Sequence, residues 1–173
     1  ILSGWAPARQ HIHSVTPSVP GQSPWNFHEY ASWREEPQHH FSKFYRLSIP
    51  KTVRQFPLER VTFAERLKEK GYSTGFIGKW HVGPDQDKFP QHQGFDYTYG
   101  HCGSLDMPPY VYVENEKITA PVENITQRKG DYHWWRRGPT ADDFDHEKVT
   151  PHLFDKAEEF VNEMNKKGQP FFL

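Results

Sequence analysis

The chain has 173 residues and a formal net charge of −1, because 21 lysine and arginine residues stand against 22 aspartate and glutamate residues. This balance provides no basic surface for nucleic acid or an anionic membrane, so neither is expected as a partner. No apolar run approaches the roughly 18 residues that a membrane-spanning helix needs. Only 35% of the residues are hydrophobic, and the chain has 13 Phe, 8 Tyr and 6 Trp, so we expect a core built mainly from aromatic side chains. The single cysteine, Cys102, excludes an internal disulfide.

Composition and periodicity divide the chain into four segments. Residues 16–57 are rich in proline and lack a hydrophobic period, which predicts a long irregular loop. Residues 58–100 are typical of a helix followed by a strand, and residues 149–173 repeat that order. Between them, residues 101–148 form an aromatic, non-periodic insertion.

The first helix and strand are predicted from VTFAERLKEKGYSTGFI. Thr62 followed by Glu65 is a capping box, and Gly71 suits the left-handed position that ends a helix. A helix is therefore predicted over residues 63–70, with the face of Phe63, Ala64 and Leu67 turned inward. The β-prone run that follows predicts a buried strand ending near Ile77.

The second helix and strand are predicted from TPHLFDKAEEFVNEMNKKGQPFFL. Thr150 is expected to cap the helix, with Pro151 at its first position and Gly168 just past its end. Apolar residues recur at helical spacing between these limits. A helix, a tight turn and an apolar strand, occurring twice, indicate an α/β fold in which strands lie buried between helices.

Lys79 and His81 follow the first predicted strand within the sequence GKWHVG. Ligands of open α/β sheets bind beyond the carboxyl ends of the strands. Residues two apart in an extended chain point the same way, so Lys79 and His81 could face one ligand while Trp80 faces the opposite side. A lysine ammonium and a histidine that titrates near neutral pH suit a sulfate or phosphate ester. From spacing alone, a solvated lysine beside a hydrogen-bonded histidine is the more common arrangement.

Several stretches resemble the type I, formylglycine-dependent sulfatases, arylsulfatase-like enzymes with the alkaline phosphatase fold. ILSGWAPAR at residues 1–9 resembles the segment that follows the family's first signature, C-x-P-S-R. Residues 56–81 and PQHQGFDYTYG at residues 90–100 resemble the second signature region, and residues 149–173 resemble the helix and strand before an active-site histidine. Trp5 departs from the arginine that is frequent at its position. The resemblance implies that the chain is a central fragment of one sulfatase catalytic domain.

The resemblance also implies a mechanism for cleaving sulfate monoesters. In this family a formylglycine, made from the signature Cys or Ser by the formylglycine-generating enzyme, attacks sulfur, and calcium neutralises the sulfate oxygens. Lys79 matches the lysine that contacts the sulfate and the formylglycine. His81 matches the histidine that hydrogen-bonds the formylglycine hydroxyl and acts as a general base in sulfate elimination. Ser104 matches a serine that touches the sulfate in several members, although a turn-forming serine is an equal alternative.

The formylglycine precursor and the calcium ligands are expected outside these 173 residues. Cys102 is not the precursor, because HCGSL lacks the proline and arginine of the signature. The chain alone is therefore expected to be inactive on an aryl sulfate. Family resemblance implies a secreted, periplasmic or lysosomal protein that acts on a sulfated small molecule or glycan, with residues 101–148 facing that substrate. A sulfated sugar is favoured by the aromatic residues, but aryl and steroid esters remain open.

Other functions and sites also remain open. The runner-up is a phosphodiesterase or phosphonate hydrolase of the same superfamily. A non-catalytic homologue that binds sulfated glycans, and a truncated chain with no independent fold, are further alternatives. Asp96 is expected to be structural and Asp106 a solvated loop residue. DYHWWRRGP could stack on a sugar and pair with a second sulfate, or form a solvated aromatic loop. No metal site is predicted at four further histidines, because no carboxylate or cysteine lies at ligand spacing from them. They are His11, His13, His39 and His40.

Overall fold

The computed structural model describes residues 58–80, 89–101, 103–127 and 134–173. The expectations for residues 1–9 and 16–57, and for the four histidines within them, lie outside the described residues. In chain order the described elements are α1 (Phe63–Lys68), β1 (Ser73–Lys79), a 3-10 helix (Pro90–Gln93), β2 (Tyr97–His101), β3 (Val113–Glu114), β4 (Lys117–Ile118), β5 (Asn124–Thr126), β6 (Gly138–Thr140), α2 (Val149–Lys167) and β7 (Phe171–Phe172). None of the described helices is long and apolar enough to cross a membrane.

Five of the strands form one mixed sheet in the order β4-β3-β2-β1-β7. The central strand β1 runs parallel to both of its neighbours, β2 and β7, while β3 and β4 are antiparallel. Strands β5 and β6 form a separate antiparallel pair. The prediction of an α/β fold with a parallel strand is confirmed by this order, although only Thr74 and Gly75 of β1 are fully buried.

The two helices contact opposite faces of the sheet. On one face Phe160 of α2 stacks on Tyr97 of β2, with ring centroids 5.8 Å apart. On the other face Ala64 of α1 clusters with Trp80 and Phe95. Because side chains alternate along a strand, the odd-numbered residues of β1 face α2 and the even-numbered ones face α1.

The core consists largely of aromatic side chains, as the composition predicts. The main cluster lies beneath α2 and contains Tyr99, Tyr110, Val111, Tyr112, Val113, Ala141, Phe144 and Val149, all less than 9% exposed. Burial, with smaller contributions from Asp106 and Asp143 respectively, raises the pKa of Tyr110 and Tyr112 to about 12. These phenols therefore stay neutral across the physiological range.

A polar contact pins the start of β1 to the start of β2. Thr74 is fully buried, its amide donates to Asp96 Oδ2 at 3.0 Å, and its hydroxyl donates to Gly94 O at 2.6 Å. Lys68 lies 2.5 Å from the other carboxylate oxygen of Asp96. Burial alone would raise the pKa of Asp96, but the hydrogen bonds from Lys68 and Thr74 outweigh it and hold that pKa below 3.8. Asp96 is thus a structural residue, as expected.

Helix α1 begins where the sequence predicts and ends two residues early. The capping box between Thr62 and Glu65 is present in both directions. The last turn tightens, because the amide of Lys70 donates to Leu67 O, and Gly71 then adopts a φ of +82°. The predicted inward face is wrong in part, since Phe63 is 56% exposed and only meets Phe172 edge-on.

The start of α2 and the end of β1 also differ from the prediction. Helix α2 begins at Val149, its cap residue Lys148 makes no side-chain capping bond, and Pro151 is the third residue of the helix. The helix starts earlier because Val149 is buried in the main cluster, and Pro is tolerated in a first turn whose amides lack helical partners. Strand β1 continues past Ile77 because it pairs with β2 as far as Lys79.

Replacing Asp96 tests the contact that joins the two strands. We expect Asp96→Ala to lower the free energy of unfolding by about 1–3 kcal/mol, because the buried Thr74 amide loses its acceptor. Urea denaturation of the full-length protein measures the change. The folded pKa of Asp96 lies below its ordinary value of 3.8. The contribution of Asp96 to the stability of the fold is therefore complete above about pH 3.8, and it is lost as the pH falls through the folded pKa. Asp155→Ala, at an exposed position of α2, is the control and should change stability by less than about 0.5 kcal/mol. Equal effects of the two variants would contradict the assignment.

Candidate active site

Lys79 is the last residue of β1 and lies at the carboxyl end of the sheet. Its side chain is exposed, whereas Trp80 is 5% exposed and packs edge-on against Phe76, 5.2 Å between ring centroids. The predicted alternation of Lys79 and Trp80 is therefore observed. His81 lies outside the described residues, so whether it shares the Lys79 side stays a prediction.

Ser104 lies next to Lys79, although 25 residues separate them in the chain. The ammonium of Lys79 donates to Ser104 Oγ at 2.6 Å. Ser104 sits in the turn after β2, where the amide of Met107 donates to Ser104 O at 2.9 Å. The serine is thus a turn residue and also a partner of Lys79, while its contact with a sulfate stays a prediction.

His101 is a neighbour of this pair that the sequence did not single out. It is the last residue of β2 and stands opposite Lys79 in the parallel register. Its Nδ1 lies 2.7 Å from Gly103 O. Because a carbonyl can only accept, Nδ1 carries the proton, and in the neutral ring Nε2 is an acceptor. Burial, and to a smaller extent the Lys79 ammonium, lower the pKa of His101 below 6.5 against the opposing effect of the Gly103 carbonyl.

The arrangement is suited to binding an oxyanion. Among the described residues, no carboxylate lies within salt-bridge distance of Lys79, and its one side-chain partner is the neutral Ser104. The ammonium has three protons and uses one on Ser104, which leaves two donors. The hydroxyl of Ser104 accepts from Lys79 and keeps its own proton to donate. With His101 neutral, the ammonium of Lys79 supplies positive charge at this point of the described structure.

A cleft opens on the other face of the sheet, between β1, β2 and the 3-10 helix. Its lining includes Phe76, Trp80, Phe89, Gln91 and Thr98. Gln91 donates to Thr98 Oγ1 at 2.6 Å, while its buried Oε1 has no partner in the described part of the chain. Lysine and arginine are absent from the lining, so this cleft is less suited to an oxyanion than the Lys79 side.

The described part of the segment DYHWWRRGP, residues 134–139, contacts the turn that carries Ser104. The guanidinium of Arg136 lies 3.7 Å from the carboxylate of Asp106, and the Arg136 amide donates to Asp106 O at 3.4 Å. Asp106 is therefore paired rather than simply solvated, which corrects the expectation for it. Trp134 is 58% exposed.

The described residues supply no obvious metal site. No group of three or more His, Cys, Asp or Glu side chains that could hold an ion occurs in the described ranges. Cys102 lies outside them. A calcium ion therefore does not fit the residues that the structure describes.

Comparison with known protein sequences identifies related enzymes. A family model described as Sulfatase matches residues 26–173. Mouse arylsulfatase G is 28% identical over 144 residues, which cover 70% of this chain and 26% of that protein. Human arylsulfatase A is 46% identical over 63 residues, 35% of this chain and 12% of that protein. Human steryl-sulfatase is 48% identical over 50 residues, 25% of this chain and 9% of that protein. The matched stretches thus span at most about a quarter of these relatives' length.

Solved structures share the fold. A Bacteroides thetaiotaomicron structure, described under the metabolism of multiple glycosaminoglycans, superposes with a TM-score of 0.62 at 22% identity and covers 99% of this chain and 38% of that one. The PsFucS1 sulfatase from Pseudoalteromonas sp. gives a TM-score of 0.56 at 21% identity, covering 99% of this chain and 31% of that one. The predicted alkaline-phosphatase-like fold is confirmed, and the family match over residues 26–173 shows that the chain belongs to the sulfatase family.

Proposed function

We propose that the protein is a sulfuric ester hydrolase that cleaves sulfate monoesters. The contact between Lys79 and Ser104 supports this proposal most directly, because it sets an ammonium and a hydroxyl at the carboxyl end of the sheet in a member of the sulfatase family. Because the chain spans only part of its relatives, the proposal concerns the full-length protein. In the overall reaction the bond between sulfur and the ester oxygen breaks, water supplies the oxygen that the sulfate gains, and the alcohol takes up a proton.

Each proposed site residue has a separate role. Lys79 binds the sulfate through its two remaining protons and offsets the charge that develops as the ester bond breaks. Ser104 orients Lys79 and donates its own proton to a sulfate oxygen. His81, by resemblance, acts as a general base in releasing sulfate.

We propose, again by resemblance, that a formylglycine and a calcium ion serve the reaction. Because the described residues offer no fitting metal site, the calcium ligands belong to other parts of the protein, and the resemblance implies that the formylglycine precedes residue 1. Calcium would supply positive charge for the sulfate oxygens. The formylglycine-generating enzyme would then be a partner, and a secreted, periplasmic or lysosomal location is expected.

Substitution of Lys79 and Ser104 tests their roles. We expect Lys79→Met to lower kcat/KM for 4-nitrophenyl sulfate by about 10²–10³, the loss typical of a donor to developing charge. Ser104→Ala should lower it by about tenfold or more, because a hydrogen bond to a charged group is lost. Steady-state kinetics of the full-length protein measure both effects. Lys166→Met, at an exposed position near the end of α2, is the matched control, and a loss as large as that of Lys79→Met would contradict the proposal.

A comparison of substrates separates the proposed sulfatase from the alternative phosphodiesterase or phosphonate hydrolase. Wild-type protein is expected to favour 4-nitrophenyl sulfate over the corresponding phosphate monoester and phosphodiester. A higher kcat/KM for either phosphate ester would favour the phosphodiesterase or phosphonate hydrolase. A lack of turnover on every ester, with retained binding of sulfated glycans, would favour the non-catalytic homologue.

His101 is expected to be a positioning residue that acts through the turn carrying Ser104. His101→Leu removes the donor to Gly103 O, so we expect kcat/KM for the aryl sulfate to fall by about tenfold, equivalent to about 1.4 kcal/mol. His101→Asn places an amide donor near the position of Nδ1 and should recover most of the loss. Kinetics of both variants check this, with circular dichroism to confirm folding. Equal losses in the two variants would show that only packing matters, and unchanged rates would rule out the role.

A further inference from the structure

The segment containing Trp134 to Arg137 is fixed beside the proposed site. The Arg136 backbone and side chain both contact Asp106, which is two residues from Ser104. Two residues of chain span at most about 7 Å. Lys79 Nζ is in turn 2.6 Å from Ser104 Oγ. Arg136 therefore lies within the reach of a substrate larger than a single ring that binds at Lys79.

Contacts with buried or partly buried residues hold the segment in place. Trp135 stacks on His146, with ring centroids 4.3 Å apart and the planes inclined by 17°. The hydroxyl of Tyr110, whose side chain is buried in the main cluster, donates to Arg136 O at 2.7 Å. Strand β6 begins directly afterwards at Gly138. The residues that follow Trp134 are thus held in place before any ligand binds, which reduces the entropy that binding must overcome.

Trp134 is the exposed member of the aromatic pair. Its ring meets Trp135 edge-on, with centroids 6.0 Å apart and an interplanar angle of 77°, and 58% of the residue is exposed. At this exposure much of the apolar indole surface lies in water. Arg136 adds an exposed guanidinium whose pairing with Asp106, at 3.7 Å and partly exposed, contributes little stability.

We propose that Trp134 forms a sugar-binding subsite beside the Lys79 site, which takes the sugar unit next to the one that carries the scissile sulfate. The apolar face of that sugar stacks on the indole, and Arg136 binds an acidic group of the same chain. The inference rests on the proposed function, because it presumes that Lys79 binds the sulfate to be cleaved. Such a subsite predicts that the protein binds sulfated oligosaccharides more tightly than small aryl sulfates.

Exposure alone does not single out Trp134. Phe154 is 71% exposed and Phe63 is 56% exposed. Both belong to helices, and neither contacts the turn that bears Ser104. Trp134 differs because an arginine lies two residues away and because its segment is bonded to that turn. Phe154 is therefore a matched control for the loss of an exposed aromatic ring.

The test compares two substrates and two readouts in the full-length protein. The probes are 4-nitrophenyl sulfate and sulfated di- and tetrasaccharides of heparin, chondroitin sulfate and carrageenan. The variants are Trp134→Ala, Trp134→Phe and Phe154→Ala. Calorimetry gives Kd for each oligosaccharide and steady-state kinetics give kcat/KM. For the oligosaccharides that wild type binds, we expect Trp134→Ala to weaken Kd by about tenfold, as for other anchoring aromatic residues. The same variant should leave kcat/KM for the aryl sulfate unchanged, and Trp134→Phe should keep most of the affinity.

The outcomes separate the subsite from the proposed function. The subsite is wrong if wild type binds none of the oligosaccharides, or if Trp134→Ala weakens their binding no more than Phe154→Ala does. In either case, turnover of the aryl sulfate that depends on Lys79 would still support the proposed function. If Trp134→Ala lowers kcat/KM equally for the aryl sulfate and for the oligosaccharides, Trp134 acts on folding and the subsite is also wrong. If oligosaccharides bind through Trp134 but no ester is hydrolysed, the proposed function fails, and Trp134 is a sugar contact that does not lie beside a scissile sulfate.

Discussion

The close approach of Gly78 and Gly100 determines the geometry at the carboxyl end of the sheet. The two residues face each other in the parallel register of β1 and β2. A Cβ atom on Gly100 would lie only 1.7 Å from Gly78 O, a distance at which no side chain fits. Because the two backbones come this close, Lys79 stands opposite His101, and the Trp80 amide can donate to His101 O at 2.8 Å. The positions of Lys79, His101 and the turn that follows therefore depend on the absence of a side chain at Gly100.

The same strand end separates charge from core. Trp80 turns inward, where Phe76 and Phe95 meet it edge-on, and Lys79 turns outward. Trp80 thus stabilises this end of the strand by apolar packing, while Lys79 carries the charge. Lys79 can keep an exposed ammonium, with no carboxylate against it in the described ranges, because the fold does not rely on burying it. At the opposite end of β1, Asp96 ties the strand down with polar contacts that lie away from Lys79.

Local features were predictable from the sequence, and those that depend on register were not. The capping box at Thr62 and the left-handed Gly168 follow from short-range backbone chemistry, and both are observed. His101 was missed because its relation to Lys79 arises only when β2 pairs with β1. The cap predicted at Thr150 was wrong because burial of Val149 outweighs a local capping preference. Family resemblance placed Lys79 and Ser104 separately at the sulfate, but the hydrogen bond between them was not predicted, since spacing alone does not bring residues so far apart together.

The turn after β2 connects the proposed chemistry to the choice of substrate. Ser104 contacts Lys79, and Asp106, in the same turn, contacts Arg136. The Arg136 amide is bonded to the Asp106 backbone, so the segment would stay in place if the guanidinium released the carboxylate. That partly exposed pair is worth at most about 1 kcal/mol, so an anionic ligand group could replace the carboxylate at little cost. Arg136 and Trp134 could therefore adapt to a substrate, or differ between relatives, without disturbing the contact between Lys79 and Ser104.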